Sequence, residues 1–375
     1  MIDEKRDESV ELEQAGGGIA RTPLRLQPLA WLSLLLGIAL VVLLVVLALL
    51  LNPRALVTEG GAPVGGIEPI LLIEGPGRGE APAFNRPLDV AFGINDRIYV
   101  VDSDNNRIAV FSRQGRFLFE FGGFGITKPS PGFEATWEEG LLNFPLGIDI
   151  DDDGTVYIAD FRNDQIQVFD AEGEFIRRFP DPATRVGAGA SGQDGTGIAV
   201  TSLAVHDGHV YATDSYQVVV FTTEGEFVRQ FGRPGVGPGE FDRPNGIDVT
   251  EDGMVVVADS NNSRIQMFTS DGELEWVTGD KRRVTALGAS VEDPDAVFGL
   301  PRGVTVLDDG TIAVVDSFEY DIVLLAPDGR ILGRHGQRGV QPGELNLPNG
   351  ISSSGDLLVV ADKENNRIQV LRLAR

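Results

Sequence analysis

A single period governs most of this chain. The segment PLDVAFGINDRIYVVDSDNNRIAVFSRQGRFLFEFG begins at Pro87 and returns as PLGIDIDDDGTVYIADFRNDQIQVFDAEGEFIRRF at Pro145. Further copies start at Thr201, Pro244 and Pro301, and a shorter one, PNGISSSGDLLVVADKENNRIQVLRL, starts at Pro348. Each copy holds four short apolar runs of alternating pattern, divided by Gly, Asn or Asp turns, which is the signature of a four-stranded antiparallel meander. One such sheet cannot bury both of its faces, so the copies must stack on one another around an axis. Six copies predict six blades and 24 strands in an all-β, six-bladed β-propeller. The last copy stops after its third strand, Arg367 to Leu373. Ile70-Leu71-Leu72-Ile73-Glu74-Gly75, upstream of the first copy, matches the fourth strand of the others, such as Phe227-Val228-Arg229-Gln230-Phe231-Gly232. An N-terminal outer strand shared between the two chain ends is therefore expected to close the ring and remove its free edge.

The copies share a P-x-G-[IV] start, a strand ending in Ala-Asp or Val-Asp, an N-x-R-I run and a closing G-x-F…F-G. Asn105/Asn106-Arg107-Ile108, Asn262-Ser263-Arg264-Ile265 and Asn365/Asn366-Arg367-Ile368 recur in register. This pattern resembles NHL repeats over residues 67–375. The third copy departs from it, being two residues short after Asp214, and the fifth has Tyr320-Asp321 where Arg is expected, so irregular loops are anticipated there. The resemblance implies the fold. It leaves function open, because the family spans protein docking, RNA recognition, sensor ectodomains and peptide-amidating lyase activity.

Residues 29–51 read LAWLSLLLGIALVVLLVVLALLL, 23 residues without a charge and roughly 34 Å of helix. The apolar region of a cleaved signal peptide runs only about 7–15 residues and ends in a small-x-small site, so this segment is read as a transmembrane signal-anchor. Arg21 and Arg25 precede it and only Arg54 follows closely, which predicts an N-terminus in the cytoplasm and an extracytoplasmic propeller at the cell membrane. Residues 1–28 are then a disordered cytoplasmic tail and 52–66 a linker.

A formal charge of -25 argues against a nucleic-acid partner, whose affinity rests on Lys and Arg. There is no cysteine, hence no disulfide or thiolate chemistry, and the three histidines, His206, His209 and His335, are too scattered for a zinc site. Asp149-x-Asp151-x-Asp153-Gly154 imitates a calcium loop, but it lies at a hairpin turn without flanking helices. Six aspartates close the second strands: Asp102, Asp160, Asp214, Asp259, Asp316 and Asp362. Being common to every blade, they read as structural, accepting N–H groups of the following loop while the Arg five positions on pairs with a neighbouring group. No catalytic constellation, metal site or cofactor site emerges.

Positions where the copies differ are more informative. The residue after the first proline should sit at one mouth of the axial channel, and round the ring it is Leu88, Leu146, Thr201, Asn245, Arg302 and Asn349. Three long connections, 124–141, 181–199 and 280–299, open on the same face. The first carries Trp137 and the third Lys281-Arg282-Arg283. Trp137 either faces a partner or packs onto a blade, and the triplet is either a contact or simply solvated. Trp137, Thr201, Asn245, Arg302, Asn349, Lys281, Arg282 and Arg283 are thus the candidate ligand-binding residues of a membrane-tethered binding or scaffold propeller for a protein, peptide or glycan. The alternative is a metal-dependent hydrolase or lyase with its site at the channel mouth.

Overall fold

The computed structural model of the chain describes residues 66–77, 83–127, 136, 138–180, 198–279 and 297–374. The expected tail, the membrane segment and all of the linker but Gly66 lie outside these residues, as do Trp137 and Lys281 to Arg283. No helix among the described residues is long and apolar enough to cross a membrane.

The described residues form 24 strands, numbered β1 to β24 along the chain, in six four-stranded antiparallel sheets. The first blade shows the plan: inner strand β2 (Pro87–Gly93), then β3 (Arg97–Asp102), β4 (Arg107–Ser112) and outer strand β5 (Phe117–Gly122). The other inner strands are β6 (Gly147–Ile150), β10 (Val200–His206), β14 (Gly246–Val249), β18 (Pro301–Val306) and β22 (Ile351–Ser354). Closure is as expected. In the sixth blade β1 (Ile67–Ile73) pairs antiparallel with β24 (Arg367–Leu373), Ile67 facing Leu373 and Ile73 facing Ile368, so the closing strand begins three residues before the expected Ile70.

The second strands read as unbroken apolar runs because both faces of each blade are covered. In β7 (Val156–Asp160), Val156 and Ile158 pack with Tyr99, Val101 and Ile108 of the first blade, while Tyr157 and Ala159 pack with Val210 and Ala212 of the third. The core is therefore a ring of interblade layers, and no blade buries its apolar surface alone. The closing G-x-F…F motif belongs to the same layers. Gly173, at φ +87°, turns the last hairpin of the second blade beneath Phe121 of the first, and a Cβ there would come within 2.6 Å of that ring.

The glycine of P-x-G has a steric origin. Inner strands converge on the axis, and a Cβ built on Gly246 would stand 2.1 Å from the carbonyl oxygen of Arg302 in the next blade; on Gly303 it would stand 2.6 Å from that of Asn349. Gly246→Ala is accordingly expected to destabilise the fold by about 1–3 kcal/mol through overpacking, read as a lower urea midpoint at unchanged m-value.

Candidate functional site: the axial cavity and its loop face

Five of the six aspartates of the second strands act in one structural device, with one correction to the sequence reading. Their principal backbone donors lie in the preceding interblade connection: Asn85 N–H to Asp102 (2.8 Å), Asn143 to Asp160 (2.7 Å), Asp242 to Asp259 (2.8 Å), Gly299 to Asp316 (2.7 Å) and Asn346 to Asp362 (2.7 Å). The carboxylate points back toward the connection because the strand has just risen beside it. Two follow the expectation as well: Asp214 takes the N–H of Ser215 in the following loop, together with that of Ala199, and Asp316 takes those of Phe318 (3.3 Å) and Glu319 (3.4 Å). The arginines pair with the aspartate of their own blade, Arg107, Arg264 and Arg367 each placing Nε 2.7 Å from it. The loops of the third and fifth blades are irregular, as anticipated: β11 (His209–Asp214) meets β12 (Gln217–Thr222) after only Ser215 and Tyr216, and Asp321 is paired by Arg334 at 2.8 Å.

Asp151 is a turn residue, its Oδ1 accepting the N–H groups of Asp153 (3.1 Å) and Thr155 (2.8 Å). His206 and His209 face each other across a hairpin, and His335 is on the outer strand β21 (Ile331–His335) of another blade. Among the described residues no group of three or more His, Asp or Glu is placed to hold a metal ion.

All six mouth residues, Leu88, Leu146, Thr201, Asn245, Arg302 and Asn349, line one cavity of about 430 Å³ on the axis. Two of the four polar ones join neighbouring blades. Thr201 Oγ1 donates to the carbonyl of Pro244 (2.8 Å), and Asn349 Nδ2 donates to that of Leu88 (2.8 Å). The side chains of Asn245 and Arg302 have no hydrogen bond or ion pair among the described residues. Arg302 keeps part of its surface accessible, yet burial pulls its pKa down to about 10, with no carboxylate opposing the shift. Lys363, whose pKa burial also lowers, and Arg86 line the same cavity.

The sequence reading missed the cavity's acids, Asp89, Asp149 and Asp248. Each links inner strands whose edge N–H groups would otherwise go unpaired on the axis. Asp89 accepts from Ile148 (3.1 Å), Asp149 from Val205 (2.7 Å) and Asp248 from Val306 (2.7 Å), always in the next blade. Ser352 does the same for Phe92 at 3.2 Å. Burial pushes Asp89 up to about 7 and Asp248 up to about 6. Asp149 rises to about 8, through burial first and the charge of Asp248 second. The available signal was the repeated P-x-G-I-D of the second and fourth copies.

Exposed apolar side chains fall into two sets. Phe124, Tyr216, Val236, Phe318 and Val340 stand on the connections and second-strand loops that share the face of the mouth residues, and Val340 is 64% exposed. Ile176, Phe227, Val228, Leu274, Ile331 and Leu332 lie on outer strands at the rim.

The NHL repeat matches at residues 84–111, 142–169 and 345–371, and a family described as a 6-bladed beta-propeller matches at 194–276. The chain carries NHL repeats. Its NHL propeller is 31% identical to human E3 ubiquitin-protein ligase TRIM32 over 38% of this chain and 21% of that protein. It is 25% identical to human NHL repeat-containing protein 2 over 75% of this chain and 45% of that protein. The chain thus spans less than half the length of these curated relatives. A structural genomics protein of unknown function from Bacteroides thetaiotaomicron shares the fold at a TM-score of 0.56, with 20% identity over 78% of this chain and 70% of that one.

Proposed function

We propose that the NHL propeller is a binding module that docks a protein or peptide on the face bearing the interblade connections and the axial mouth. The observation that carries this reading is the grouping of Phe124, Tyr216, Val236, Phe318 and Val340 on that face, around a cavity whose rim holds unpaired Asn245 and Arg302. Exposed apolar side chains rimmed by polar groups mark interaction sites more often than bare surface does. The NHL relatives support the same class, and the candidate residues Trp137 and Lys281 to Arg283 fall, in sequence, within the stretches 124–141 and 280–299 that join successive copies. The reading includes a tether: residues 29–51 hold the propeller at the membrane, with the N-terminus inside and the propeller outside.

One experiment addresses both parts. Full-length protein in intact cells is treated with a membrane-impermeant crosslinker, and captured partners are identified. Wild type is expected to yield a discrete conjugate. The paired substitutions Phe124→Ser and Val340→Ser, or Trp137→Ala, should reduce it at least tenfold, whereas Phe227→Ser with Leu332→Ser on the rim should leave it unchanged. Labelling only after permeabilisation would reverse the topology, and loss of capture through the rim variants alone would move the docking face.

A further inference from the structure

We propose that the axial mouth is a carboxylate-binding site, in which Arg302 with Asn245 receives one monoanionic carboxylate of the docked ligand. This rests on the docking reading above and names the chemistry that the face selects.

Arg302 lies in the cavity wall without a counter-ion, and Lys363, which feels its charge, and Arg86 are further cations of the same lining. Glu364, the acid that pairs with them, lies 3.4 Å from Lys363 and 4.0 Å from Arg86 and makes no bond to Arg302. Arg302 is half-buried and its unpaired nitrogens reach solvent, so the guanidinium faces the open cavity with its donors free for a ligand. Elsewhere this protein does the opposite, since buried Arg107, Arg264 and Arg367 are each paired with aspartate at 2.7 Å.

The size and charge of the anion follow from the rest of the lining. A guanidinium fork presents two parallel N–H groups, matching the two oxygens of a carboxylate, and the free amide of Asn245 adds a donor from the preceding blade. Asp89, Asp149 and Asp248 line the same 430 Å³ cavity. Their partial charge would repel a phosphate dianion more strongly than a carboxylate monoanion. With a formal charge of -25 on the whole chain, polyanions are disfavoured further.

The test uses full-length protein in detergent and four probes: butyrate, its neutral isostere butyramide, inorganic phosphate, and acetyl-trialanine with either a free or an amidated C-terminus. Thermal midpoints report binding by mass action. Butyrate and the free-acid peptide are expected to raise the midpoint, phosphate to raise it less, and butyramide and the amidated peptide not at all. A free-acid peptide at least about tenfold tighter than butyrate assigns the carboxylate to a polypeptide end, and equal affinity assigns it to a free small acid. Arg302→Met should abolish the response while leaving the ligand-free midpoint little changed, because the half-buried guanidinium has no partner in the fold to lose. Equal shifts with butyrate and butyramide, or a butyrate response retained by Arg302→Met, would overturn the assignment. Partner capture is independent of these readouts: normal capture by Arg302→Met alongside a lost butyrate response would sink the ligand chemistry's role and leave the docking face standing.

Discussion

Asp259→Ala is expected to cost the propeller about 3–5 kcal/mol, because it leaves a buried arginine without its counter-charge. Asp259 and Arg264 are 0% and 2% exposed, and their 2.7 Å contact is buried. The carboxylate also takes the N–H of Asp242 (2.8 Å) and the side-chain amides of Asn262 (2.8 Å) and Gln266 (3.2 Å), so truncation removes the acceptor of four donor groups at once. Arg264 meanwhile holds the connection between the third and fourth blades through the carbonyls of Val236 (2.8 Å), Gly237 (2.8 Å) and Glu240 (2.7 Å). Without its counter-charge the guanidinium would be drawn toward water and that connection would loosen. The exposed pair Arg113 to Asp96 is the control: it is short, at 2.6 Å, but 36% and 65% exposed, and Asp96→Ala should cost under about 1 kcal/mol. Urea denaturation of both variants checks the ranking, and a loss below about 1 kcal/mol for Asp259→Ala would show that the aspartate is not what holds the blade loop.

Blade number, strand order and ring closure were legible in the sequence because each rests on local signals repeated six times. Alternation marked the strands, turn residues marked the hairpins, and the truncated last copy pointed to the strand around Ile70. The mouth ring was legible too, since Leu88, Leu146, Thr201, Asn245, Arg302 and Asn349 occupy one register position and all reach the cavity. What could not be read was which of them remain free. Asn349 is engaged by the carbonyl of Leu88, 261 positions away, a partner that exists only once the ring closes. The isolation of Arg302 is equally a property of what surrounds it, and no local pattern carries that. Asp89 was hidden for a different reason. It replaces the glycine of the first copy, and its partner Ile148 is a backbone group of the next blade, whose identity as a residue is irrelevant to the bond.

Lowering the pH from about 7.5 to about 5.5 is expected to stabilise this protein, by on the order of 5 kcal/mol or roughly 10 °C in melting midpoint. Most proteins are near their maximum across this range or lose stability toward acid. Here eight buried carboxylates are pushed above the usual 3.8, with burial the leading cause in each: Asp149 to about 8, Asp89 to about 7, Asp160, Asp214 and Asp248 to about 6, and Asp102, Asp259 and Asp321 upward as well. A raised carboxylate binds its proton more tightly in the folded chain than in the unfolded one. Its contribution is therefore fully present below about 4 and is lost as pH rises through the folded value. Between about 4 and 8 the native state holds the extra protons, so stability falls with pH throughout that window. Opposing groups act lower down: Glu224, Glu240 and Glu344 have lowered pKa values through backbone hydrogen bonds, and their stabilisation disappears only as pH drops below the ordinary glutamate range. The maximum should accordingly lie between about pH 4 and 4.5, where self-repulsion from the formal charge of -25 is also reduced. Melting curves from pH 4 to 9 measure the slope, about 1.4 kcal/mol per pH unit for each proton held. Asp149→Asn should flatten it between pH 6.5 and 8 by about one proton while retaining an oxygen to accept the N–H of Val205. A midpoint that does not change, or falls, between pH 7.5 and 5.5 would mean that the axial carboxylates are ionised in the folded ring. In that case the N–H groups donated across each blade junction would outweigh the cost of burial.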